Sequence, residues 1–419
     1  MRNLRLYRII RTAFVIAVVA WRYYWLQKRE GWKRWRPTQE AWDRAHGKTG
    51  KAIYRLATNL GGAMVKLGQV LGARADVLPA AFVAPLRGLH DRVPARPFAK
   101  LAHHVERELG QPISDVFAHV EPMPIAAASL AQVHRARLVT GEDVVLKVQY
   151  PEARRLFPID LGSLRRAVRV ARWLNRGLDL RTLVDELAEF ITLELDFERE
   201  AASTERVRAN LTGDASVVVP VVHRASGKLL VLGFLTGTPL SALDKLRERG
   251  VDLRDVGRRV AALYAKMIFE HGFFHGDPHP GNILVLEDNR IGLLDFGLAK
   301  ELPPGFAGHA ARMIASTMAG NAPAAAAAAR EIGFVIADDL VPELLVLVRS
   351  LMGDYENARN MLQHLRRDHL EIPSHFTLII RALIILNGVS HTLAPGERVI
   401  AGAIAAALAP RIVAERMAR

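Results

Sequence analysis

The sequence of 419 residues contains no cysteine. The chain therefore has no disulfide framework, no zinc site built from thiolates and no cysteine nucleophile. This absence is consistent with a reducing compartment, in which disulfides rarely form. The sequence also lacks the paired cysteines and histidines of zinc fingers, and it shows no other nucleic-acid-binding module. We therefore expect no nucleic acid among the partners of the protein.

Acidic residues are too few to balance the basic ones. The chain has 57 lysines and arginines against 43 aspartates and glutamates, which gives a net charge of +14 at pH 7. Such a charge favours polyanions, and a nucleotide or a membrane surface is the better candidate once nucleic acid is set aside. Half of the residues are hydrophobic. The chain can therefore bury a sizeable core, in two or three domains or in one two-lobed enzyme.

Long apolar runs are also missing from the sequence. The uncharged run from Thr12 to Trp21 has about half of the ~20 apolar residues that a membrane-spanning helix needs. Two later runs, Phe376 to Leu386 and Val399 to Leu408, are similarly short, and the first of them contains Arg381. We interpret these two runs as helices of the protein core.

The N-terminal segment combines arginine with tryptophan. Four arginines precede the uncharged run, and five of the six tryptophans lie between its last residue and residue 42: Trp21, Trp25, Trp32, Trp35 and Trp42. Both residue types suit the headgroup zone of a bilayer. The segment also resembles a signal peptide, but no clear cleavage site follows it. We predict that residues 1–49 lie at a membrane surface. The alternatives are a short or tilted span, and a helix packed on the protein itself.

Residues 50–118 are predicted to be helical, since apolar positions recur there at intervals of three and four. The segment Lys66 to Gln69 lies within this region, and its spacing alone would place it on a solvated helix face. After Pro122 the period changes. The small residues Ala126 to Ser129 precede alternating residues, a turn and a second strand that carries Lys147. This pattern predicts a hairpin, in which a buried lysine needs a charged partner.

Acidic residues that could pair with Lys147 follow in a mainly helical region, residues 152–210. Asp196 and Glu200 are four residues apart and would share a helix face. Two further strands are predicted, at Val217 to Val222 and at Lys228 to Leu232. Residues 233–237 would then connect two lobes, and the chain beyond Gly297 is predicted to be wholly helical.

The most informative stretch runs from His271 to Gly297. Asp277 is followed five residues later by Asn282, then by an apolar strand and by Asp295 of an Asp-Phe-Gly triplet. This order is typical of ATP-dependent kinases. Asp277 would lie beside the acceptor hydroxyl, while Asn282 and Asp295 would offer Mg²⁺ the oxygen ligands that it prefers. Each piece alone could be a simple turn, but the three in this order indicate phosphoryl transfer.

Together these motifs resemble the UbiB/AarF family of atypical kinases. The segment Lys66-Leu67-Gly68-Gln69 resembles the K-x-G-Q signature of the family, and Arg74, Asp76 and Pro79 follow it in the usual way. The other matching positions are the alanine-rich loop Ala126, Ala127, Ala128 and Ser129 with its continuation Gln132 and His134; the strand lysine Lys147; the E-x-D residues Glu194 and Asp196; and the lysine-pairing glutamate Glu200.

The resemblance implies an α+β, two-lobed protein-kinase-like fold. Residues 50–118 would be a helical extension that covers the active site. Residues 119–236 would form an N-lobe with a helical insertion, and residues 237–419 a helical C-lobe. The implied cofactors are ATP and Mg²⁺. The implied catalytic residues are Asp277, Lys147 and Lys66, with Asn282 and Asp295 as metal ligands. Glu194 or Asp196 would then neutralise Lys66. The implied nucleotide contacts are Ala126, Ala127, Ala128, Ser129, Lys147, Glu200, Glu194, Asp196 and Gln69.

The resemblance also implies a function. The expected activity is that of a kinase or ATPase that supports isoprenoid-quinone (ubiquinone) or lipid biosynthesis on the cytoplasmic side of a membrane, either peripherally or through an N-terminal anchor. Expected partners are ATP and ADP, an anionic membrane surface, a lipid or quinone precursor, and a biosynthetic enzyme complex. Two alternatives are a small-molecule phosphotransferase like the aminoglycoside and choline kinases, and a non-catalytic scaffold gated by ATP. Gly233 and Asn387 depart from the family pattern, which often has acidic residues there.

Overall fold

A computed structural model describes residues 2–30, 38–73, 78–89, 95–174, 181–351 and 373–417. The chain divides into two compact units. The first unit comprises residues 1–199 and 223–234, and the second comprises residues 200–222 and 235–419. Mixed helix and antiparallel sheet, with an N-terminal helical segment, confirm the predicted α+β class.

Helices make up most of the described residues. They are α1 (Arg2–Glu30), α2 (Gln39–Leu60), α3 (Ala63–Ala73), α4 (Ala80–Val83), α5 (Ala102–Leu109), α6 (Ala153–Leu174), α7 (Arg181–Glu194), α8 (Phe197–Asn210), α9 (Leu243–Glu248), α10 (Leu253–Phe269), α11 (Phe306–Met318), α12 (Ala322–Ile332), α13 (Val341–Leu351), α14 (Ser374–Leu393) and α15 (Val399–Met417). Thr38 caps the start of α2 by accepting a hydrogen bond from Ala41 N, as threonine does at many helix N-termini.

The strands are short, and most belong to hairpins. They are β1 (Phe117–Val120), β2 (Ala126–Ala127), β3 (Ala131–Leu138), β4 (Asp143–Gln149), β5 (Val217–Val218), β6 (Val222–Ser226), β7 (Leu229–Gly233), β8 (Gly237–Pro239), β9 (Phe273–Phe274), β10 (Ile283–Leu286), β11 (Ile291–Leu293) and β12 (Lys300–Glu301). The sheet of the first unit has the order β1-β3-β4-β7-β6, with β2 paired to β3.

The hairpin of β3 and β4 confirms the prediction made from residue alternation. The two strands are antiparallel, and Ala131 lies opposite Gln149 while Arg137 lies opposite Asp143. The inward side chains alternate along β4, so that Val144, Leu146 and Val148 are fully buried. These strand residues share one apolar cluster with residues of α5 and with Ala153 of α6 and Ile191 of α7. A separate cluster of the same unit joins α2 and α3 to Leu86, Leu89 and Leu187.

The second unit contains a small sheet in the order β5-β11-β10-β8 and a separate pair, β9 and β12. Helix α10 lies at the centre of its core, with ten of its residues buried. The pairing of β12 with β9 contradicts the prediction that the chain is wholly helical beyond Gly297. Such a two-residue strand depends on a partner elsewhere in the chain and leaves no local periodicity to detect.

Three further predictions about element bounds need correction. The predicted strand at residues 217–222 is two elements, β5 and β6, separated by residues that include Pro220, which has no N–H for a sheet ladder. Asp196 precedes α8 instead of lying within it. Helix α14 has 20 residues, more than the eleven predicted. Its buried residues, among them Ile379 and Leu386, confirm that it is a core helix.

Two helices are long and apolar enough to cross a membrane by length and composition alone. One window is Arg5–Lys28 of α1, of which very little is buried, and the other is His375–Leu393 of α14, of which half is buried. The length of α1 exceeds what the uncharged run alone predicted, since the helix includes the flanking arginines. Trp32 and Trp35 lie outside the described residues, as does the segment that joins α1 to α2.

Candidate active site

The Lys66 segment lies on α3 of the first unit. The Nζ atom of Lys66 donates a hydrogen bond of 2.7 Å to Oε1 of Glu194 at the end of α7, and the two side chains are partly buried, at 25% and 29% exposure. The exposed helix face that spacing alone predicted is therefore wrong. The expectation that an acid of the E-x-D motif neutralises Lys66 is confirmed. Arg74 and Asp76, the next residues of the resemblance, lie outside the described residues.

The other residues of this segment explain why the motif has its form. Gln69 donates through Nε2 to the carbonyl oxygen of Leu89 at 3.0 Å. An ideal Cβ at Gly68 would lie 2.2 Å from Cδ1 of Leu89, so that any larger residue would force the Leu89 side chain to move. Gln69 and Gly68 thus hold α3 against residues 84–89. In the described structure the Gln69 amide serves this packing contact.

The acidic residues around Glu194 are anchored through the backbone. The carbonyl oxygen of Leu195 accepts hydrogen bonds from Gln149 Nε2 at 3.0 Å and from an Arg154 Nη atom at 2.7 Å. Asp196 accepts a hydrogen bond from Arg199 N, and so caps the start of α8. The second carboxylate oxygen of Glu194, Oε2, is buried and has no hydrogen-bond partner among the described residues. A buried carboxylate oxygen without a partner is costly, and a cation would satisfy it.

The predicted strand lysine and small-residue loop lie in the sheet of the same unit. Lys147 is in β4, opposite Val133 on one side and Leu230 on the other, and its Nζ lies 5.1 Å from the centre of the Phe197 ring. The loop from β2 to β3 is a tight hairpin, closed by a 2.8 Å bond from Ala128 N to Ala131 O. Its Ser129 is buried, whereas Ala126 and Ala128 are exposed.

A buried polar network behind this hairpin was not predicted from the sequence. Gln132 accepts a hydrogen bond from Arg96 N at 3.1 Å and donates to Arg96 O at 2.9 Å. His134 Nδ1 donates to Glu121 O at 2.8 Å, and its Nε2 faces the Gln132 amide at 2.6 Å. Burial lowers the pKa of His134, which favours this neutral form. The network ties β3 to the segment before α5 and so fixes the base of the loop.

The second unit contains the other motif residues. Asn282 donates through Nδ2 to Oδ2 of Asp277 at 3.1 Å and to the Asp277 carbonyl oxygen at 3.3 Å. This pairing turns the nitrogen of the amide toward Asp277 and leaves its oxygen as the end that can ligate a cation. The short helical turn Pro280–Asn282, capped by the side chain of His279, holds Asn282 at the start of β10.

His275 is a buried residue whose role was not predicted. Its Nε2 lies 2.7 Å from Leu294 O, and since a carbonyl oxygen only accepts, Nε2 carries the proton. Its Nδ1 accepts from the Tyr264 hydroxyl at 3.0 Å. Burial, and then the negative charge of Asp277, raise the pKa of Tyr264, so the phenol keeps its proton. Burial also lowers the pKa of His275. The neutral ring therefore links α10 to the backbone just before Asp295.

The backbone around Asp277 and Asp295 is tightly constrained. Gly276 has a φ of +77°, and an ideal Cβ there would lie 2.1 Å from the carbonyl oxygen of Leu298. Asp295 also has a positive φ, 60°, which is uncommon for a residue other than glycine and is frequent at functional sites. The carboxylate of Asp295 accepts from Gly297 N at 3.3 Å. Buried Glu200 is near this turn, since a Cβ at Gly297 would lie 3.8 Å from its Oε2.

Comparison with known proteins identifies the family. The ABC1 atypical kinase-like domain matches residues 88–329. The chain belongs to the UbiB/AarF family of atypical kinases. The Arabidopsis thaliana protein ACTIVITY OF BC1 COMPLEX KINASE 7, chloroplastic, is 36% identical over 272 residues, which are 63% of this chain and 39% of that protein. AarF domain-containing kinase 1 of Drosophila melanogaster is 33% identical over 311 residues, 73% of this chain and 60% of the fly protein.

A solved structure supports the fold. The chain of Rv3197 from Mycobacterium tuberculosis, in a complex with erythromycin, has a TM-score of 0.54 and 24% identity, and the match covers 85% of this chain and 98% of that one. The kinase-like fold is therefore established. The match to this chain covers between about half and two thirds of the length of three Synechocystis relatives, namely 47%, 68% and 56%.

The structure brings together some of the residues that the UbiB/AarF resemblance selects. Lys66 meets Glu194 in the first unit, and Asp277 meets Asn282 in the second. The pairing of Lys147 with Glu200 joins residues that belong to different units, and it stays a prediction. The nucleotide-binding roles of Ala126 to Ser129 also stay predictions.

The donor chemistry of the UbiB/AarF residues fits Mg²⁺. Within the described ranges, no group of three or more His, Asp or Glu side chains could hold a metal ion by itself. Mg²⁺ is usually bound through one or two carboxylates, with phosphate and water completing its shell. Asp295 and the Asn282 oxygen supply such a partial set of hard ligands. A divalent cation at these two residues would thus need a phosphate-bearing ligand to complete its coordination.

Proposed function

We propose that this protein binds Mg-ATP and catalyses ATP hydrolysis or phosphoryl transfer. The observation that carries the proposal is the hydrogen-bonded pair of Asp277 and Asn282, followed by Asp295 on a constrained turn, in a member of a kinase family. Phosphoryl transfer depends mainly on positioning and on neutralising charge. A carboxylate held by a neighbouring amide and a second carboxylate held by its own turn meet that requirement.

Each residue then has a definite role. Asn282 and Asp295 would hold Mg²⁺, which neutralises phosphate charge when it is bound. Asp277 would accept the proton of the attacking hydroxyl or water, as its hydrogen bond from Asn282 keeps one carboxylate oxygen oriented. Lys147 would contact the nucleotide phosphates. His275 acts as a positioning residue, because it fixes the backbone before Asp295 without needing to touch the nucleotide.

The Lys66–Glu194 pair favours an enzyme with a restricted acceptor over an ordinary small-molecule kinase. Lys66 is engaged with an acid 128 residues away, and the second oxygen of that acid is buried and has no hydrogen-bond partner in the described part of the chain. A cation bound near such a pair would interact with the Glu194 carboxylate, and a phosphate would interact with the Lys66 ammonium. An aminoglycoside or choline kinase has no use for the K-x-G-Q segment, and in such an enzyme Lys66 would be dispensable.

Replacement of Lys66 separates these two functions. We expect Lys66→Met to change ATP turnover at least several-fold while lowering the free energy of unfolding by only about 1 kcal/mol, since the pair is partly solvated. Lys51→Met, at an exposed position on α2, is the matched control. Phosphate release and urea unfolding are the two measurements. Wild-type turnover in Lys66→Met would support the small-molecule kinase instead.

We further propose that the activity serves isoprenoid-quinone or lipid biosynthesis at a membrane. The support is the family membership, the apolar helix α1, of which very little is buried, and the net charge of +14. ATP turnover measured with and without anionic liposomes tests the membrane dependence. Stimulation is expected, and a non-catalytic scaffold would show no turnover in either condition.

The pathway is tested in cells. A strain that lacks this gene should contain less isoprenoid quinone or an altered lipid profile, and the wild-type chain should restore it while Asp277→Asn should not. Normal quinone and lipid content in the deletion strain would remove the pathway from the proposal and leave the ATP chemistry intact. Full restoration by Asp277→Asn would favour the scaffold.

A further inference from the structure

Helix α1 is docked on the first unit through a polar face. Arg8 is buried, and its guanidinium donates to both carboxylate oxygens of Asp160 on α6, from Nε at 2.9 Å and from Nη2 at 2.5 Å. Its Nη1 donates to Leu60 O at the end of α2, at 2.6 Å. Thr12, one turn along α1, is buried as well. The inward side of this apolar helix is therefore held to the rest of the unit by a buried ion pair.

The same side of α1 is held again two turns before its end. Arg22 donates to the Thr49 hydroxyl at 2.9 Å, and the Tyr23 hydroxyl lies 2.7 Å from His46 Nδ1. The Tyr23 ring also stacks on Trp42 of α2, with ring centres 6.2 Å apart. Helix α1 is thus fixed to α2 and α6 near both of its ends, and it has one defined outward face.

That outward face is a continuous apolar stripe. Its members, which we call the outer stripe, are Leu6, Ile10, Phe14, Val18, Trp21 and Trp25, all exposed. Their spacing of four, four, four, three and four residues places them within about 120° of arc at 100° per residue. The stripe is about 29 Å long at 1.5 Å per residue. Phe14 and Trp21 are 63% and 65% exposed, which is unusual for side chains of this size.

Positive charge borders the outer stripe. Helix α1 contains seven basic residues, and its single acid is the last residue, Glu30. Arg5 and Arg11 are exposed beside the stripe at its N-terminal end, and Lys28 is exposed at the other end. Apolar side chains, tryptophan and flanking cations are the composition of helices that lie in the interface of an anionic bilayer.

We propose that α1 lies in the plane of an anionic bilayer, with the outer stripe in the lipid and the opposite face still docked on the protein through Arg8 and Asp160. This inference deepens the membrane part of the proposed function, because it names the surface and its lipid partner.

A spanning orientation of α1 conflicts with these contacts. The uncharged run from Thr12 to Trp21 would cover about 15 Å, half of the ~30 Å hydrocarbon thickness, so that arginine would enter the hydrocarbon on at least one side. Spanning would also separate Arg8 from Asp160 and leave Asp160 buried with an unpaired charge, which proteins avoid. The in-plane orientation keeps every observed contact of α1 and covers the exposed stripe.

Vesicle binding by the full chain tests the lipid partner. We expect co-sedimentation with vesicles of phosphatidylcholine and phosphatidylglycerol, weaker binding at high salt, and much weaker binding to phosphatidylcholine alone. Ile10→Gln with Phe14→Gln should lower the affinity about tenfold or more, since each change removes a large apolar side chain from lipid. Met318→Gln, which alters an equally exposed apolar residue outside α1, is the matched control. Equal binding by all three proteins would overturn the proposal.

The absence of cysteine makes the orientation measurable, because a single introduced cysteine carries the only label. We would label Leu6→Cys, Phe14→Cys, Trp25→Cys and Ala20→Cys with a fluorophore and quench it with lipids that carry a quencher in the acyl chain. In-plane binding predicts equal, strong quenching at positions 6, 14 and 25 and weaker quenching at position 20, on the side of the helix. Strong quenching at 14 and 20 with weak quenching at 6 and 25 indicates a span and overturns the proposal.

Two controls separate this proposal from the ATP chemistry. Mg-ATP affinity should be unchanged in the glutamine double variant, because neither residue belongs to the proposed catalytic set. Loss of nucleotide binding in the wild type would refute the proposed activity without affecting the lipid result. A wild-type chain that forms dimers in solution, while the double variant is monomeric and neither binds vesicles, would show that a second copy covers the stripe instead.

Discussion

At the scale of single residues, Gly276 is the position next to Asp277 that tolerates least change. Gly276→Ala adds a methyl group 2.1 Å from a carbonyl oxygen at a positive φ, and we expect it to lower the free energy of unfolding by about 2–4 kcal/mol. Gly272→Ala is the control, because its φ is also positive but no atom of the residues that the structure describes lies within 4 Å of its added Cβ. That control should cost about 1 kcal/mol. If urea unfolding shows that the two variants lose the same unfolding free energy, the steric explanation is contradicted.

His275 makes the second residue-scale prediction, which concerns pH. Burial lowers its pKa from the ordinary 6.5, so the unfolded state binds more protons than the folded state as pH falls below about 6.5. The folded state is then favoured above that pH and loses stability on acidification toward the folded-state pKa. We expect unfolding free energy to fall between about pH 7 and pH 5. His275→Gln should show a smaller fall, and an identical pH dependence in the two proteins would refute this assignment.

At the scale of elements, prediction succeeded where the signal is local. Alternation along residues 131–149 was sufficient to predict the β3–β4 hairpin, because one face of each strand is buried. Prediction failed for β12, because this strand forms only by pairing with Phe273 and Phe274 of β9, which are distant from it in the sequence. The predicted range of α14 was too short, because it was taken from an apolar run. Such a run leaves out polar residues of the helix, such as the buried Ser390. The capping role of Asp196 could have been read from the preference of aspartate for helix starts.

The docking of α1 yields an element-scale prediction. Arg8 and Asp160 form a buried ion pair, and burial raises the pKa of Asp160 more than Arg8 lowers it. The desolvation of such a pair can offset its mutual attraction. Arg8→Met alone leaves Asp160 buried without its partner and should cost about 3–5 kcal/mol in unfolding free energy. Adding Asp160→Leu should recover most of that loss, because two apolar groups can replace a buried ion pair. Additive losses in the double variant would mean that the pair is itself a main source of stability.

At the scale of the whole molecule, the candidate site could be predicted only in part. Asp277, Asn282 and Asp295 lie within 19 residues of one another, so their spacing alone revealed the second-unit residues. Lys66 and Glu194 are 128 residues apart, and only the family resemblance suggested that they meet. The family resemblance selected Gln132 and His134 but not their hydrogen-bond network with Arg96, because buried polar pairs have no characteristic spacing. Nor did the sequence reveal which side of α1 faces the protein, since Arg8 looks like a surface arginine.

Binding of Mg-ATP by the intact chain tests the central claim most directly. Calorimetric titration with ATP in the presence of Mg²⁺ should show binding to the wild type, and Asp295→Asn should abolish it because a neutral amide replaces a charged ligand. Asp288→Asn, the same change at an exposed position between β10 and β11, should bind like the wild type. Wild-type affinity in Asp295→Asn, or no binding by the wild type at all, would contradict the assignment of this site.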